Sequence, residues 1–380
     1  MLHRPRTLAF RMHLIVLIGM FSVTPRAMQC QARWTIEPNL RIGAVDDGPA
    51  SFADIRGVAV GERGSIWVLD FNTQTIRMFD AQGQFIKIVA RSGGGPGEIR
   101  RANGMLTGRN GDVWVNDPAN SRLTVFTPDG RYKTQHMLKA GGAAFFWNAI
   151  VDAEGRINEE IRLRNASGTF VPGVRRVAPN GTPVDTLPMP LCRTEGVDSS
   201  RAYFRASAAT GDNISVGVPF LPTAVTAWDQ RSAIWCSGGA RYEVIRITIG
   251  KLDTTARILH RANSVAVTAE ERLREIATIH KRFAALGFAD PDFDWIPQTK
   301  PAIVALDKDG EGRLWVRQSA TDTTTTAFHV WNEAGSLLAI AQSSFRVSPF
   351  RHLLIRGDTL YAVTTDQDDV PYVVRAVIRR

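Results

Sequence analysis

The sequence predicts an all-β chain folded as a six-bladed β-propeller, with a small helical insertion between blades 4 and 5. Three observations carry that expectation. A short turn-and-strand segment recurs six times, each clear copy is flanked by further short strands and tight turns, and uninterrupted copies repeat at about 45 residues.

The copies are GSIWVLD (Gly64 to Asp70), GDVWVND (Gly111 to Asp117), GRINEEI (Gly155 to Ile161), SAIWCSG (Ser232 to Gly238), GRLWVRQ (Gly312 to Gln318) and DTLYAVT (Asp358 to Thr364). Their shared apolar positions, Ile66, Val113, Ile157, Ile234, Leu314 and Leu360, are separated by 47, 44, 77, 80 and 46 residues. Three intervals fit one blade, and the two longer ones carry insertions. In front of each copy lies an apolar run ending in a turn, such as Ile303 to Leu306 before DKDG. Behind it lie a third and a fourth strand around another turn, as in Leu123 to Phe126, PDG, and Arg131 to Met137. Glycine and asparagine recur there because such turns need backbone angles those residues tolerate. A four-stranded sheet cannot bury both faces alone. Radial stacking covers each face with a neighbour, and the tryptophans at 67, 114, 235 and 315 are read as packing between blades. The third copy departs from the pattern, with Asn158 in place of tryptophan.

The last unit shows three clear strands, Leu353 to Ile355, Leu360 to Val363 and Tyr372 to Ile378. The extended stretch Trp34 to Ile42 is expected to supply its missing outer strand and close the ring. Of the insertions, 191–219 is polar and without period and reads as a long loop. Residues 268–287 read as a helix: Thr268 with Glu271 forms a capping box, Leu273, Ile276, Ala277, Phe283 and Leu286 follow helical spacing, and Gly287 stands at the C-terminal end. A cover near one mouth of the tunnel is the favoured placement for this helix, with a brace on the ring side as the alternative.

Residues 1–32 read as a secretory signal peptide and 33–380 as the propeller. Arg4, Arg6 and Arg11 precede an apolar run, Leu14 to Val23, that is half the length of a membrane span, so no stable anchor is expected after cleavage. Gln29 before Cys30 argues against lipid acylation. The expected destination is periplasmic or extracellular. Removing those 32 residues, with four arginines and no acid, lowers the net charge from +9 to +5. No basic run with interleaved aromatics remains, so nucleic acid is not an expected partner. Cys192 and Cys236 survive processing, and either a disulfide across neighbouring blades or two buried thiols fits the sequence.

The linker RSGGGPGEIRRANGM (Arg91 to Met105) and the segment IPQTKPAIVALDKDGEGRLWV (Ile296 to Val316) resemble those of the NHL-repeat-like six-bladed propellers of exported bacterial proteins. That resemblance covers nearly all of the mature chain and implies the fold and export, with little about chemistry. Gly-x-Ser-x-Gly and His-Glu-x-x-His motifs are absent, Gly250 and Lys251 lack the earlier glycine of a phosphate loop, and Gly93 to Gly97 reads as an interblade turn. Of the mature histidines, only His352 sits at an expected inner-strand entrance, which disfavours a three-histidine zinc site. No cofactor is expected. An oxygen-rich calcium site would draw on Asp54, Glu98, Asn103 and Asn148, residues that turn and capping duties also explain.

The inner-strand entrances suggest one constellation. Were their loops to meet at one mouth, Arg56, Arg100, Arg101, Lys300, Arg351 and His352 would form a basic ring around Trp147, suited to a carboxylate, sugar acid or acidic peptide. The alternative is that these cations pair with Asp54, Glu98 and Asp294 and pin the loops. The leading functional expectation is thus an exported binding or interaction module, taking an anionic small molecule, an acidic peptide or another exported protein. A metal-dependent lactonase-like or lyase-like propeller enzyme is the alternative.

Overall fold

The computed structural model describes residues 31–46, 48–61, 63–138, 146–165, 167–189, 192, 198–208, 211–322, 324–348 and 353–380. They are mostly strand, with sheets arranged as a propeller, and include one α-helix, Ala269–Ala284. The expected signal peptide, apart from its last two residues, lies outside the described residues.

Four sheets have four antiparallel strands each, in chain order. The first contains Ile55–Val60, Ile66–Asp70, Thr75–Phe79 and Phe85–Ala90, and the second Gly104–Thr107, Val113–Asp117, Arg122–Phe126 and Tyr132–Met137. The third contains Ala149–Val151, Ile157–Arg164, Phe170–Val177 and Pro183–Pro188, and the fourth Val225–Asp229, Ala233–Ser237, Glu243–Thr248 and Thr254–Leu259. The remaining large sheet has eight strands in two halves. One half is Ile303–Lys308, Leu314–Gln318, Thr326–Trp331 and Leu337–Ser343; the other is Leu354–Arg356, Thr359–Thr365, Pro371–Arg379 and the N-terminal strand Ala32–Ile42. That N-terminal strand lies antiparallel to Pro371–Arg379, with Thr35 opposite Arg379, as the closure expectation requires. It also runs parallel to Leu337–Ser343, from Ala32 opposite Ala339 to Ile36 opposite Ser343, which fuses the two halves into one sheet.

Apolar clusters between neighbours make the ring. Trp67 and Leu69 pack with Met105, Val115 and Phe126 between the first and second sheets, and Trp114 and Leu123 pack with Ile157 and Val177 between the second and third. Trp235 and Val244 meet Leu314, Val316 and Trp331, while Trp315 and Phe328 meet Leu360, Ala376 and Trp34. Finally Ile66, Val68 and Phe79 meet Ile42, Tyr361 and Val373, which returns the last half-sheet to the first sheet. The recurring tryptophans therefore pack between sheets. At the third unit Asn158 sits where they do, and its Nδ2 donates to Asp152 at 2.9 Å, as Trp315 Nε1 donates to Asp309 at 2.8 Å. The interface between the third and fourth sheets draws its aromatic instead from Trp228 on an inner strand.

That same interface carries the disulfide Cys192–Cys236, with Cα atoms 5.8 Å apart. Pairing resolves the two alternatives left open by the sequence. A cross-link closing 44 residues removes unfolded-state entropy. Its reduction, or joint replacement of Cys192 and Cys236 by alanine, should lower unfolding free energy by about 4 kcal/mol, read as a lower urea midpoint.

The stretch 191–219 departs from the expected aperiodic loop. It carries a two-stranded hairpin, Tyr203–Ser207 with Asn213–Gly217, whose alternate residues Phe204, Ala206, Ile214 and Val216 face a cluster with Ile276, Ile279 and Phe283 of the helix. A hairpin alone is marginal, and docking onto the helix supplies its missing core. The helix is capped as expected: Thr268 accepts the Glu271 N–H and Glu271 accepts the Thr268 N–H. Gly287, at φ 72°, closes the other end with its N–H on the Ala284 carbonyl, while the Phe288 N–H reaches the Phe283 carbonyl.

Between the fourth sheet and the Ile303–Ser343 half lies an aromatic cluster in which His329 Nδ1 and Trp331 Nε1 both meet the Tyr242 hydroxyl, at 3.1 and 2.9 Å. The His260 ring stands edge-on to His329, centroids 4.8 Å apart. Burial, reinforced by His260, lowers the His329 pKa from 6.5 to about 4. The unfolded chain binds this proton first, so the contribution is complete above pH 6.5 and is lost as pH falls towards 4, a change of about 3 kcal/mol. Urea midpoints measured between pH 7.5 and 4.5 should fall accordingly, and His329→Gln should flatten the dependence.

Candidate functional site

The innermost strands of all the propeller sheets surround a central cavity of about 550 Å³. At the end where those strands begin, the wall is built by Arg56, Phe146, Trp147 and Asn148. Arg56 lies at a register shift between Ile55 and Gly57, a bulge that re-aims the residue it contains. Its Nε donates to Asp54 at 2.8 Å and its guanidinium lies 3.3 Å from the centre of the Phe71 ring, leaving the side chain 9% exposed. Trp147 is held by its Nε1–H on Glu159 Oε2 at 2.8 Å, and Glu159 in turn accepts from Arg175 Nε at 2.7 Å. Gly104 makes that position accessible, because a Cβ there would lie 2.6 Å from the Trp147 Cβ. Asn148 accepts from Trp228 Nε1 at 2.5 Å and donates to Glu160 at 2.8 Å, bridging the third and fourth sheets.

The structure brings together part of the expected constellation. Arg56 and Trp147 line one cavity, whereas Arg100, Arg101 and Lys300 do not line it, and Arg351 and His352 lie outside the described residues. Arg100 and Arg101 stand exposed on the linker between the first two sheets, with the Arg100 N–H given to the buried Asp117 at 2.7 Å and Arg101 in a left-handed turn at φ 57°. Lys300 is drawn away by the helix insertion: its Nζ meets Glu271 at 2.5 Å and the Ala320 carbonyl at 2.9 Å, with both charged side chains buried. Loop pinning therefore accounts for the Asp54 pairing of Arg56, while Asp294 faces Arg272. None of the described residues of the two insertions lines the cavity.

The four residues weighed for calcium all have local duties. Asp54 holds Arg56, Glu98 accepts the Gly95 N–H, Asn103 accepts from Asn116, and Asn148 bridges as above. Among the described residues, no three His, Cys, Asp or Glu side chains gather as a metal site. The glycine-rich linker is an interblade turn braced by Arg122, whose guanidinium donates to the carbonyls of Gly94, Gly95 and Glu98.

Sequence reasoning missed the opposite end of the cavity, where Asp229, Arg231, Lys308, Glu311, Glu333 and Arg356 form a dense mixed-charge wall. The signal was present: Asp229 and Lys308 end inner strands that the turn motifs delimit.

No family model matches the chain, and no curated protein matches it. Among solved structures it is similar to virginiamycin B lyase from Staphylococcus aureus, at 11% identity and a TM-score of 0.47 over 90% of this chain and 99% of that one. It is similar also to an aldose sugar dehydrogenase from Streptomyces coelicolor, at 12% identity and 0.47 over 91% and 98%. A gluconolactonase from Xanthomonas campestris matches at 13% and 0.44, over 86% of each chain. The propeller itself rests on the strand pairing and interface clusters described above.

Removing Lys300 leaves the buried Glu271 carboxylate without its cation. Lys300→Met should cost about 3 kcal/mol of stability. Arg101→Ala, at an exposed position, should change stability by less than about 0.5 kcal/mol. Chemical denaturation of the two variants checks both.

Proposed function

We propose that the chain is an exported six-bladed propeller, akin to the NHL-repeat-like group, whose central cavity binds a small polar ligand bearing a carboxylate. The six-blade count takes the two halves of the eight-stranded sheet as separate blades, since each has four strands and its own interface clusters. Export into a periplasmic or extracellular, oxidising compartment is supported by the arginine-led apolar leader and by the Cys192–Cys236 pair.

One observation carries the ligand reading: Arg56 and Trp147 wall the same cavity, whose volume suits a small organic molecule. A planar guanidinium matches a carboxylate, and an indole held in place by Glu159 offers a rigid apolar face to a sugar ring or aliphatic chain. A sugar acid combines both features. An acidic peptide or another exported protein presenting an acidic side chain is the larger version of the same chemistry.

A second reading, a metal-assisted lactonase-like or lyase-like enzyme, draws on the acids Asp229, Asp307, Asp309, Glu311 and Glu333 in the same cavity wall. All five meet an arginine, Asp229 Arg246, Asp307 Arg317, Asp309 and Glu311 Arg313, and Glu333 Arg231, which favours the binding reading.

Thermal shifts of the processed chain with gluconate, glucuronate, citrate and calcium chloride separate the two. A ligand at a hundredfold its Kd stabilises by about 2.7 kcal/mol. The expected outcome is a shift with a sugar acid that is lost in Arg56→Gln and Trp147→Ala and kept in Arg101→Ala. Retention of the full shift in Arg56→Gln would reject this site. A shift with calcium alone would replace it with the enzyme reading.

A further inference from the structure

We propose that Lys308 is a reactive amine in the cavity wall, placed to condense with a small aldehyde or ketone. The inference shares with the preceding reading the premise that the cavity admits small molecules, but it does not use Arg56.

Lys308 ends the inner strand Ile303–Lys308 and lines the cavity, on a rigid element. Its side chain is only 9% exposed. Nζ donates to the Gly312 carbonyl at 2.6 Å, while Asp229 Oδ2 and Glu333 Oε1 stand at 3.8 and 3.7 Å, beyond hydrogen-bond distance. The centre of the Trp235 ring lies 5.9 Å away, closing the apolar side. Those two carboxylates are committed elsewhere as well, Asp229 to Arg246 at 2.9 Å and Glu333 to Arg231 at 3.0 Å. The ammonium is thus desolvated while its counterions remain at arm's length. Burial lowers its pKa below the ordinary 10.5, against the opposing pull of Asp229, Glu333 and Asp309. A desolvated lysine beside a cavity meets the requirement of an amine nucleophile, which must be neutral to attack.

The chemistry balances without an external redox agent. The amine nitrogen attacks the carbonyl carbon and a C–N bond forms. Both amine hydrogens then leave with the carbonyl oxygen as one water, giving the imine. Glu333, whose Oε1 faces Nζ at 3.7 Å while its other oxygen holds Arg231, is placed to carry the transferred proton between nitrogen and oxygen. A lysine kept only as a structural cation would be shielded by these partners and would react more slowly than an exposed lysine.

The test uses glyceraldehyde as the carbonyl probe and sodium cyanoborohydride to reduce and fix any imine at pH 8, with peptide mapping by mass spectrometry. Lys251 and Lys281, both exposed, serve as internal references. Lys308 should carry at least tenfold more adduct than either, and Lys308→Arg should lose that adduct alone. Equal or lesser labelling at Lys308 overturns the proposal. Glu333→Gln should move the midpoint pH of Lys308 labelling downwards, since it removes an anion that favours the ammonium; an unchanged or raised midpoint also overturns it. Repeating the labelling in Arg56→Gln separates this inference from the ligand reading, because loss of anion binding there should leave the Lys308 adduct intact.

Discussion

No sheet in this chain can bury its own two faces, so each depends on both neighbours. The requirement falls hardest on the first and last sheets, and a single segment meets it. Ala32–Ile42 pairs with Pro371–Arg379 on one side and Leu337–Ser343 on the other, while Ile42 reaches the cluster shared with the first sheet. Hydrogen bonding and apolar burial thus meet in one strand, which joins the two half-sheets and adds Ile42 to the contact that returns them to the first sheet.

Buried carboxylates fix the loops that approach this cavity. Asp70 accepts the Ala53 and Asp54 N–H groups, Asp117 the Arg100 N–H, and Asp307 the Leu353 N–H. Each of the three also meets an arginine from a neighbouring strand, Arg77, Arg122 or Arg317. A charge buried in this way is tolerable only when fully bonded. The cavity wall is accordingly a pre-organised frame at one end, with Trp147 locked by Glu159, and a mixed-charge region at the other.

The blades were legible because turn glycines and strand tryptophans repeat with the spacing of the physical unit, and the closing strand was legible because the last unit lacked one. The hairpin at Tyr203–Gly217 was missed although Phe204, Ala206, Ile214 and Val216 alternate correctly; its apolar partner, Ile276 to Phe283, lies far away in sequence. The site was legible only in part, since side-chain direction at strand entrances depends on local irregularities that periodicity does not reveal. The bulge after Ile55 turns Arg56 into the wall, whereas the helix start captures Lys300 and the left-handed turn at Arg101 leaves its neighbours outside. Lys308 escaped notice because DKDG reads first as a turn.

The fused eight-stranded sheet has a consequence for how the molecule comes into being. Its closing strand precedes in the chain the segments it must join, Leu337–Ser343 and Pro371–Arg379, with the other sheets between them. A nascent chain therefore carries an unmatched edge on that strand until the two later segments have been made. Closure of the circle is thereby deferred until both of those later segments are available to pair with it.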